Sequence, residues 1–149
     1  MSLPVPKPGL VIRYSFLWSS ERGEGATEGA KDRPCAIVVA VRRDPGGEIQ
    51  TIVAPITHRP PEDPTASIEI PAATCRHLGL DSDRHWLRLD ELNRFIWPGY
   101  DLRPISGRHG RYDYGVLPPG LFRQLRDGIL ARQKARAGRV VPRDEVQRD

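Results

Sequence analysis

The residue types best suited to chemistry lie at the two ends of a predicted β-hairpin. Arg33 precedes an apolar run over residues 35–41, and a second apolar run over residues 49–57 ends at Thr57. A tight turn at about residue 46 places positions 33 and 57 near each other in register, so that a guanidinium and a hydroxyl open at the same rim. A guanidinium donates paired hydrogen bonds to phosphate or carboxylate. The pair therefore predicts an anion-binding corner.

The chain continues from this corner into an irregular loop that adds further candidates. His58 and Arg59 follow Thr57 directly, and three prolines stiffen residues 58–64. An imidazole suits proton transfer near neutral pH. Each candidate also has a structural interpretation: Arg33 would pair with a neighbouring acid, the threonine would cap the next turn, and the histidine would simply be exposed. The sequence leaves these alternatives open.

Short elements joined by turns must position these residues. Besides the hairpin, the sequence predicts a strand over 10–18, a mobile surface loop over 19–31, a short strand over 67–71, two helical turns over 72–79 closed by Gly79, and strands over 85–90 and 91–97. The many turns and short strands favour a protein that is mainly β with α.

An amphipathic helix is predicted near the C-terminus, over residues 121–130, with Pro119 in its first turn. Its apolar stripe comprises Leu121, Phe122, Leu125, Ile129 and Leu130. Residues 137–149 are charged and are predicted to form a disordered tail. With a Pro-rich lead-in over 1–8, this leaves a single domain over 9–136.

Length and composition limit the class of protein. The chain has 149 residues, 38% hydrophobic content, 15 prolines and 14 glycines, which suits one domain of short elements. No apolar run is long enough for a membrane span and no secretory signal is evident, so a cytoplasmic location is expected. Cys35 and Cys75 lack metal-binding spacing and are expected to be buried, reduced thiols. The net charge is +4, and from residue 131 onward six basic residues accompany three acidic ones, so a general basic face is not established.

The order of several motifs resembles the MazF/PemK family, the toxin half of bacterial type II toxin–antitoxin pairs. A strand opens at Gly9, and the segment from Glu28 to Arg33-Pro34 keeps the family's spacing before an apolar strand. Pro55-Ile56-Thr57 matches the family's strand end, and Gly115-Val116-Leu117 leads into an amphipathic helix. The resemblance covers about residues 9–130, and its specificity lies in the order of the motifs together.

The resemblance implies an SH3-like barrel of about five to seven short strands, usually a homodimer, that cuts single-stranded RNA such as mRNA. Cleavage in the family needs no metal or cofactor, because the substrate's own 2′-hydroxyl is the nucleophile, and a cognate antitoxin neutralises the toxin. On this resemblance the expected catalytic residues are Arg33, Thr57 and Glu28. The expected substrate-binding residues are His58, Arg59, Glu91, Arg94 and Trp18.

The sequence departs from the family at one strand. Members often read Asp-Gln-(Ile/Val)-(Arg/Lys) there, whereas this chain reads Asp90-Glu91-Leu92-Asn93. An additional acid in a phosphate site weakens anion binding, so a nearby basic residue is expected to compensate.

Two other functions remain open on the sequence. One is a protein-binding poison like the related gyrase-inhibiting CcdB toxins, with its activity on the C-terminal helix. The other is a non-catalytic RNA- or protein-binding module on the SH3-like fold. Trp18, Trp86 and Trp97 would either stack on unpaired bases or pack in the core, and the core is favoured for Trp86.

Overall fold

The computed structural model describes residues 3–25, 29, 31–43 and 45–144. Within them, eight strands form one sheet: β1 (Leu10–Tyr14), β2 (Arg33–Arg43), β3 (Glu48–Thr57), β4 (Ser67–Glu69), β5 (Trp86–Arg88), β6 (Glu91–Ile96), β7 (Asp113–Val116) and β8 (Arg139–Pro142). Three α-helices accompany the sheet: α1 (Ser19–Gly23), α2 (Ala72–Leu78) and α3 (Pro119–Lys134). The chain is mainly β with α, as predicted.

The β2–β3 hairpin forms the centre of the sheet, and residues 35–38 of β2 are buried on both faces. The two strands pair antiparallel, with Cys35 opposite Pro55. Because side chains alternate across a strand, Cys35 and Ile37 enter one hydrophobic core while Ala36 and Val38 enter the other. The same register brings the start of β2 and the end of β3 to one rim of the sheet, as the sequence predicted.

The other strands extend from this hairpin in both directions. The sheet order is β4-β5-β3-β2-β1-β7, and β3 divides its pairing, with residues 50–53 bonded to β6 and residues 56–57 bonded to β5. β8 lies parallel to β6, whereas the other strand pairs are antiparallel. The fork at the end of β3 opens the sheet where Thr57 lies.

The C-terminal helix covers one of the two cores. Leu121, Leu125 and Ile129 are buried at helical spacing, which confirms the predicted stripe at those positions. Leu130 was predicted in the stripe but is 53% exposed, because its position in α3 faces away from the core. Gly128 allows a close approach, since a Cβ there would lie 2.8 Å from Leu89 Cδ1.

The second predicted helix is confirmed. α2 ends before Gly79, which has φ of 72° and supplies the left-handed residue that closes the helix. Both cysteines are buried and form no disulfide, and burial raises the pKa of the Cys35 thiol far above its usual value. In the part of the chain that the structure describes, no helix combines the length and apolar character that crossing a membrane requires.

The predicted disordered tail is wrong for residues 139–144. Residues Arg139–Pro142 form β8, and Arg143 is completely buried. Its Nη2 lies 3.0 Å from Asp101 Oδ1, and its Nη1 donates to Ser15 O at 2.7 Å and to Asn93 Oδ1 at 3.0 Å. Pairing with β6 and this buried ion pair order a stretch whose composition alone indicates a solvated end. Residues 145–149 lie outside the described residues.

The predicted surface loop over 19–31 is also wrong at its beginning. Residues Ser19–Gly23 form α1, and the preceding strand stops at Tyr14 rather than at residue 18. The amide of Trp18 donates to Glu21 Oε1 at 3.0 Å, which satisfies one backbone donor at the helix start. Hydrophobic periodicity does not detect a capping contact of this kind.

Replacing Arg143 with alanine is expected to lower the free energy of unfolding by about 3–5 kcal/mol, because the buried carboxylate of Asp101 loses its compensating charge. Urea denaturation measures the change. Arg139→Ala is the matched control, since Arg139 is exposed on the same short strand and its loss is expected to change stability by less than about 0.5 kcal/mol. Equal, small effects of the two substitutions would contradict a structural role for the C-terminal segment.

Candidate functional site

An open groove of about 1240 Å³ lies at the rim where β2 begins and β3 ends. We call it the basic groove. Six of the predicted site residues line it: Trp18, Arg33, Thr57, His58, Arg59 and Glu91. Its volume exceeds that of pockets that enclose one small molecule, which suits an extended ligand.

Positive charge predominates along the basic groove. Its cationic lining residues are Arg13, Lys31, Arg33, Arg59, Arg88 and Arg108. Its carboxylates are Asp32, Asp81 and Glu91. Six cations against three carboxylates give the groove a net charge of +3 with neutral histidines, close to the +4 of the whole chain. The sequence did not reveal this concentration, because the six cations are distributed over nearly a hundred residues.

Arg33 is the best placed of these cations to bind an anion. The neighbouring acid, Asp32, lies 3.8 Å from the Nε atoms of Arg13 and Arg103 instead, and among the described residues no salt bridge to Arg33 forms. The Arg33 Nε is buried without a hydrogen-bond partner there, and burial lowers the pKa of its guanidinium. An arginine nevertheless stays charged in proteins, so this side chain brings a positive charge to the lining of the groove.

Trp18 holds two guanidiniums in place. The Cζ atoms of Arg33 and Arg88 lie 5.0 Å and 5.2 Å from the centre of its ring, within the range of cation–π contacts. Arg88 also forms a two-pronged ion pair with Asp90, at 2.8 Å and 2.9 Å, which raises the pKa of Arg88. The indole, edge-on to Phe16 at 5.1 Å, thus serves as a platform for arginines.

Thr57 has the structural role that the sequence left open, and its catalytic role stays a prediction. Its Oγ1 accepts a hydrogen bond from the amide of Arg59 at 3.1 Å, so it caps the turn that follows β3. The hydroxyl also lines the basic groove, and accepting one bond leaves its proton available to a ligand.

Glu91 and Asn93, the two departures from the family pattern, have structural partners. Glu91 accepts hydrogen bonds from Ser19, at 2.9 Å from the amide and 2.7 Å from the hydroxyl, and so fixes the start of α1. Asn93 is completely buried and bonds the backbone of Leu17 in both directions, accepting at 2.9 Å and donating at 2.7 Å. Asn93 therefore lies outside the groove, where it holds the backbone of Leu17, the residue before Trp18.

One predicted site residue that the structure describes does not line the groove. Arg94 lies in the middle of β6, opposite Ile52 and beside β8, and it is not among the groove's lining residues. Its position on β6 is outside the lining of the groove, and its role in substrate binding stays a prediction. Glu28 lies outside the described residues, so its proposed acid–base role stays a prediction. Trp86 is 6% exposed, which confirms its place in the core, and Trp97 packs near Phe95.

Comparison with known proteins identifies no relative of this chain. No family model matches the chain, and no curated protein matches its sequence. We therefore infer the ligand of the basic groove from the residues that line it.

Several residues that line the basic groove were not predicted from the sequence. Asp81 and His85 lie between α2 and β5, and Arg88 is at the end of β5. The four-residue spacing of Asp81 and His85 is a weak signal, and nothing in the sequence brings that segment to His58. The fork of β3 does so, because β5 pairs with its last two residues.

Replacing Glu91 with alanine is expected to destabilise the fold by about 1–3 kcal/mol, because both hydrogen bonds to Ser19 are lost. Chemical denaturation measures the effect. Glu48→Ala is the control, since Glu48 is exposed at the start of β3. A Glu91 variant as stable as the control would show that this carboxylate does not hold α1.

Proposed function

We propose that this chain is a toxin-type, metal-independent endoribonuclease that cuts single-stranded RNA and thereby inhibits growth. The observation that carries the proposal is Arg33, a half-buried guanidinium that forms no salt bridge among the described residues, in an open groove with five further cations. A polyanion with exposed phosphates is the ligand that such a groove fits best.

The reaction needs no group that the chain must supply as nucleophile. The ribose 2′-hydroxyl gives up its proton as its oxygen attacks the adjacent phosphorus. The bond from phosphorus to the 5′-oxygen breaks, that oxygen takes up a proton, and a 2′,3′-cyclic phosphate and a 5′-hydroxyl result. Negative charge builds up on the non-bridging oxygens as the fifth bond to phosphorus forms. A fixed guanidinium stabilises that charge more than it stabilises the ground state, which accelerates cleavage.

The groove residues divide this work among them. Arg33 supplies two donors to the non-bridging oxygens, and the contact with Trp18 limits its side-chain freedom before the substrate arrives. Thr57 adds a neutral hydrogen bond from the same rim. Arg59 and Arg88 bind flanking phosphates. Glu28 is the residue that we propose for proton transfer, from the segment that leads into β2.

The fold and partners follow from the same proposal. The antiparallel strands around the β2–β3 hairpin, with α3 against one core, are compatible with an SH3-like barrel of the MazF type. We infer a homodimer and a cognate antitoxin as partners. An acidic antitoxin segment would compete with RNA, because both would seek the cations of the basic groove.

The experiment is incubation of the purified chain with a mixed pool of single-stranded RNA in EDTA. We expect cleavage that leaves 2′,3′-cyclic phosphate ends, reduced about 10²–10³-fold in Arg33→Ala. The matched control is Arg42→Ala, since Arg42 is an exposed arginine at the far end of the same strand. Expression of the chain should also arrest growth, and Arg33→Ala should relieve the arrest.

Two outcomes would contradict the proposal. RNA that stays intact with well-folded protein would remove the nuclease. Growth arrest that persists in Arg33→Ala would place the toxic activity away from the groove, as a CcdB-like poison acting through α3 requires.

A further inference from the structure

Two histidines and an aspartate from separate segments meet on one wall of the basic groove. His58 Nε2 lies 3.1 Å from Asp81 Oδ2, and His85 Nε2 lies 3.0 Å from Asp81 Oδ1. One ligand atom from each residue lies within 4.8 Å of the other two. The two imidazole rings are in contact, with centroids 4.4 Å apart.

The three side chains lie close enough together to share one metal ion. Zinc binds imidazole nitrogen and carboxylate oxygen at 2.0–2.2 Å, which puts tetrahedral ligand atoms about 3.3–3.6 Å apart. The nitrogen–oxygen separations here are close to that range, so small side-chain rotations would turn the donor atoms toward a common centre. Two imidazoles with one carboxylate favour a transition metal over magnesium or calcium, which prefer all-oxygen ligands.

Part of the set is preorganised by the fold. The His85 side chain is only 5% exposed, so its ring has little freedom. The Asp81 carboxylate accepts a hydrogen bond from the amide of Asp83 at 3.0 Å, a second-layer contact that orients it. His58 is attached to the end of β3, which pairs directly with β5 just beyond His85. Two ordered segments thus present the ligands to each other.

We propose that His58, Asp81 and His85 bind one divalent transition-metal ion of the Zn²⁺ class on the wall of the basic groove. Three protein ligands leave at least one coordination position open, and all three residues line the groove, so that position faces the space where an anion would bind. The ion ties the loop after β3 to the segment before β5. The inference does not depend on the proposed nuclease, whose chemistry uses no metal.

The test is titration of the full chain, first treated with EDTA and dialysed, with zinc chloride. Competition with a chromogenic chelator gives the affinity, and calorimetry gives the stoichiometry. We expect one zinc ion per chain, and at least about tenfold weaker binding in His58→Gln and in Asp81→Asn. His77→Gln is the matched control, because His77 is an exposed histidine on α2 outside the cluster. At one zinc concentration, the melting temperature should also rise less in His58→Gln than in the wild type and the control.

His58→Gln and Asp81→Asn are the decisive variants. Both side chains are more than half exposed, so their substitution should leave the fold intact. Absence of saturable zinc binding in the wild type would overturn the proposal and leave three side chains joined by hydrogen bonds alone. Zinc affinity that is unchanged in both variants would overturn it as well. The readout is independent of RNA cleavage in EDTA, so a chain that binds zinc and cuts no RNA would remove the nuclease and keep the metal site.

Discussion

The buried amide of Asn93 is the interaction on which the rest of this structure depends. It bonds the backbone of Leu17 in both directions and accepts a further bond from Arg143, whose guanidinium also bonds Ser15 and pairs with Asp101. These contacts join the end of β1, the middle of β6 and the end of β8 in a region without solvent access. A buried polar network of this kind is stable only while its members satisfy one another, so it permits few alternative arrangements.

The geometry of the basic groove depends on that network. With Leu17 fixed, the next residue, Trp18, has a defined position, and its ring locates the guanidiniums of Arg33 and Arg88. Glu91, two residues before Asn93 in β6, holds the first turn of α1 through Ser19. Glu91 and Asn93, which differ from the MazF/PemK pattern, thus stabilise the segments that carry the site. Arg33 is partly desolvated at this position. The desolvation costs stability, and it strengthens the attraction between the guanidinium and a phosphate.

Local patterns in the sequence were sufficient for the elements that depend on short-range rules. The β2–β3 hairpin follows from two apolar runs and a Gly-rich turn, α2 from its closing Gly79, and most of α3 from a stripe at helical spacing. These features also placed Arg33, Thr57 and His58 at one rim, since strand register carries residues together in a predictable way.

Long-range contacts decided what the sequence did not predict. β8 has four residues in a basic stretch, and its order comes from pairing with β6 and from the burial of Arg143, which composition argues against. Arg94 was assigned to the site from its neighbours in sequence, but the position of β6 in the sheet removes it from the groove. The cluster of His58 with Asp81 spans 23 residues, and only the fork of β3 brings its parts together.

The central claim is that the groove binds the phosphates of single-stranded RNA through Arg33. It is tested most directly by the affinity for a 2′-O-methylated single-stranded oligonucleotide, which cannot be cleaved, measured over a range of salt concentrations. Each phosphate contact contributes about 0.7 to the slope of log affinity against log salt. We expect Arg33→Ala to weaken binding and to reduce the slope by about that amount, while Arg42→Ala changes neither. Binding by Arg33→Ala with unchanged affinity and slope would contradict it.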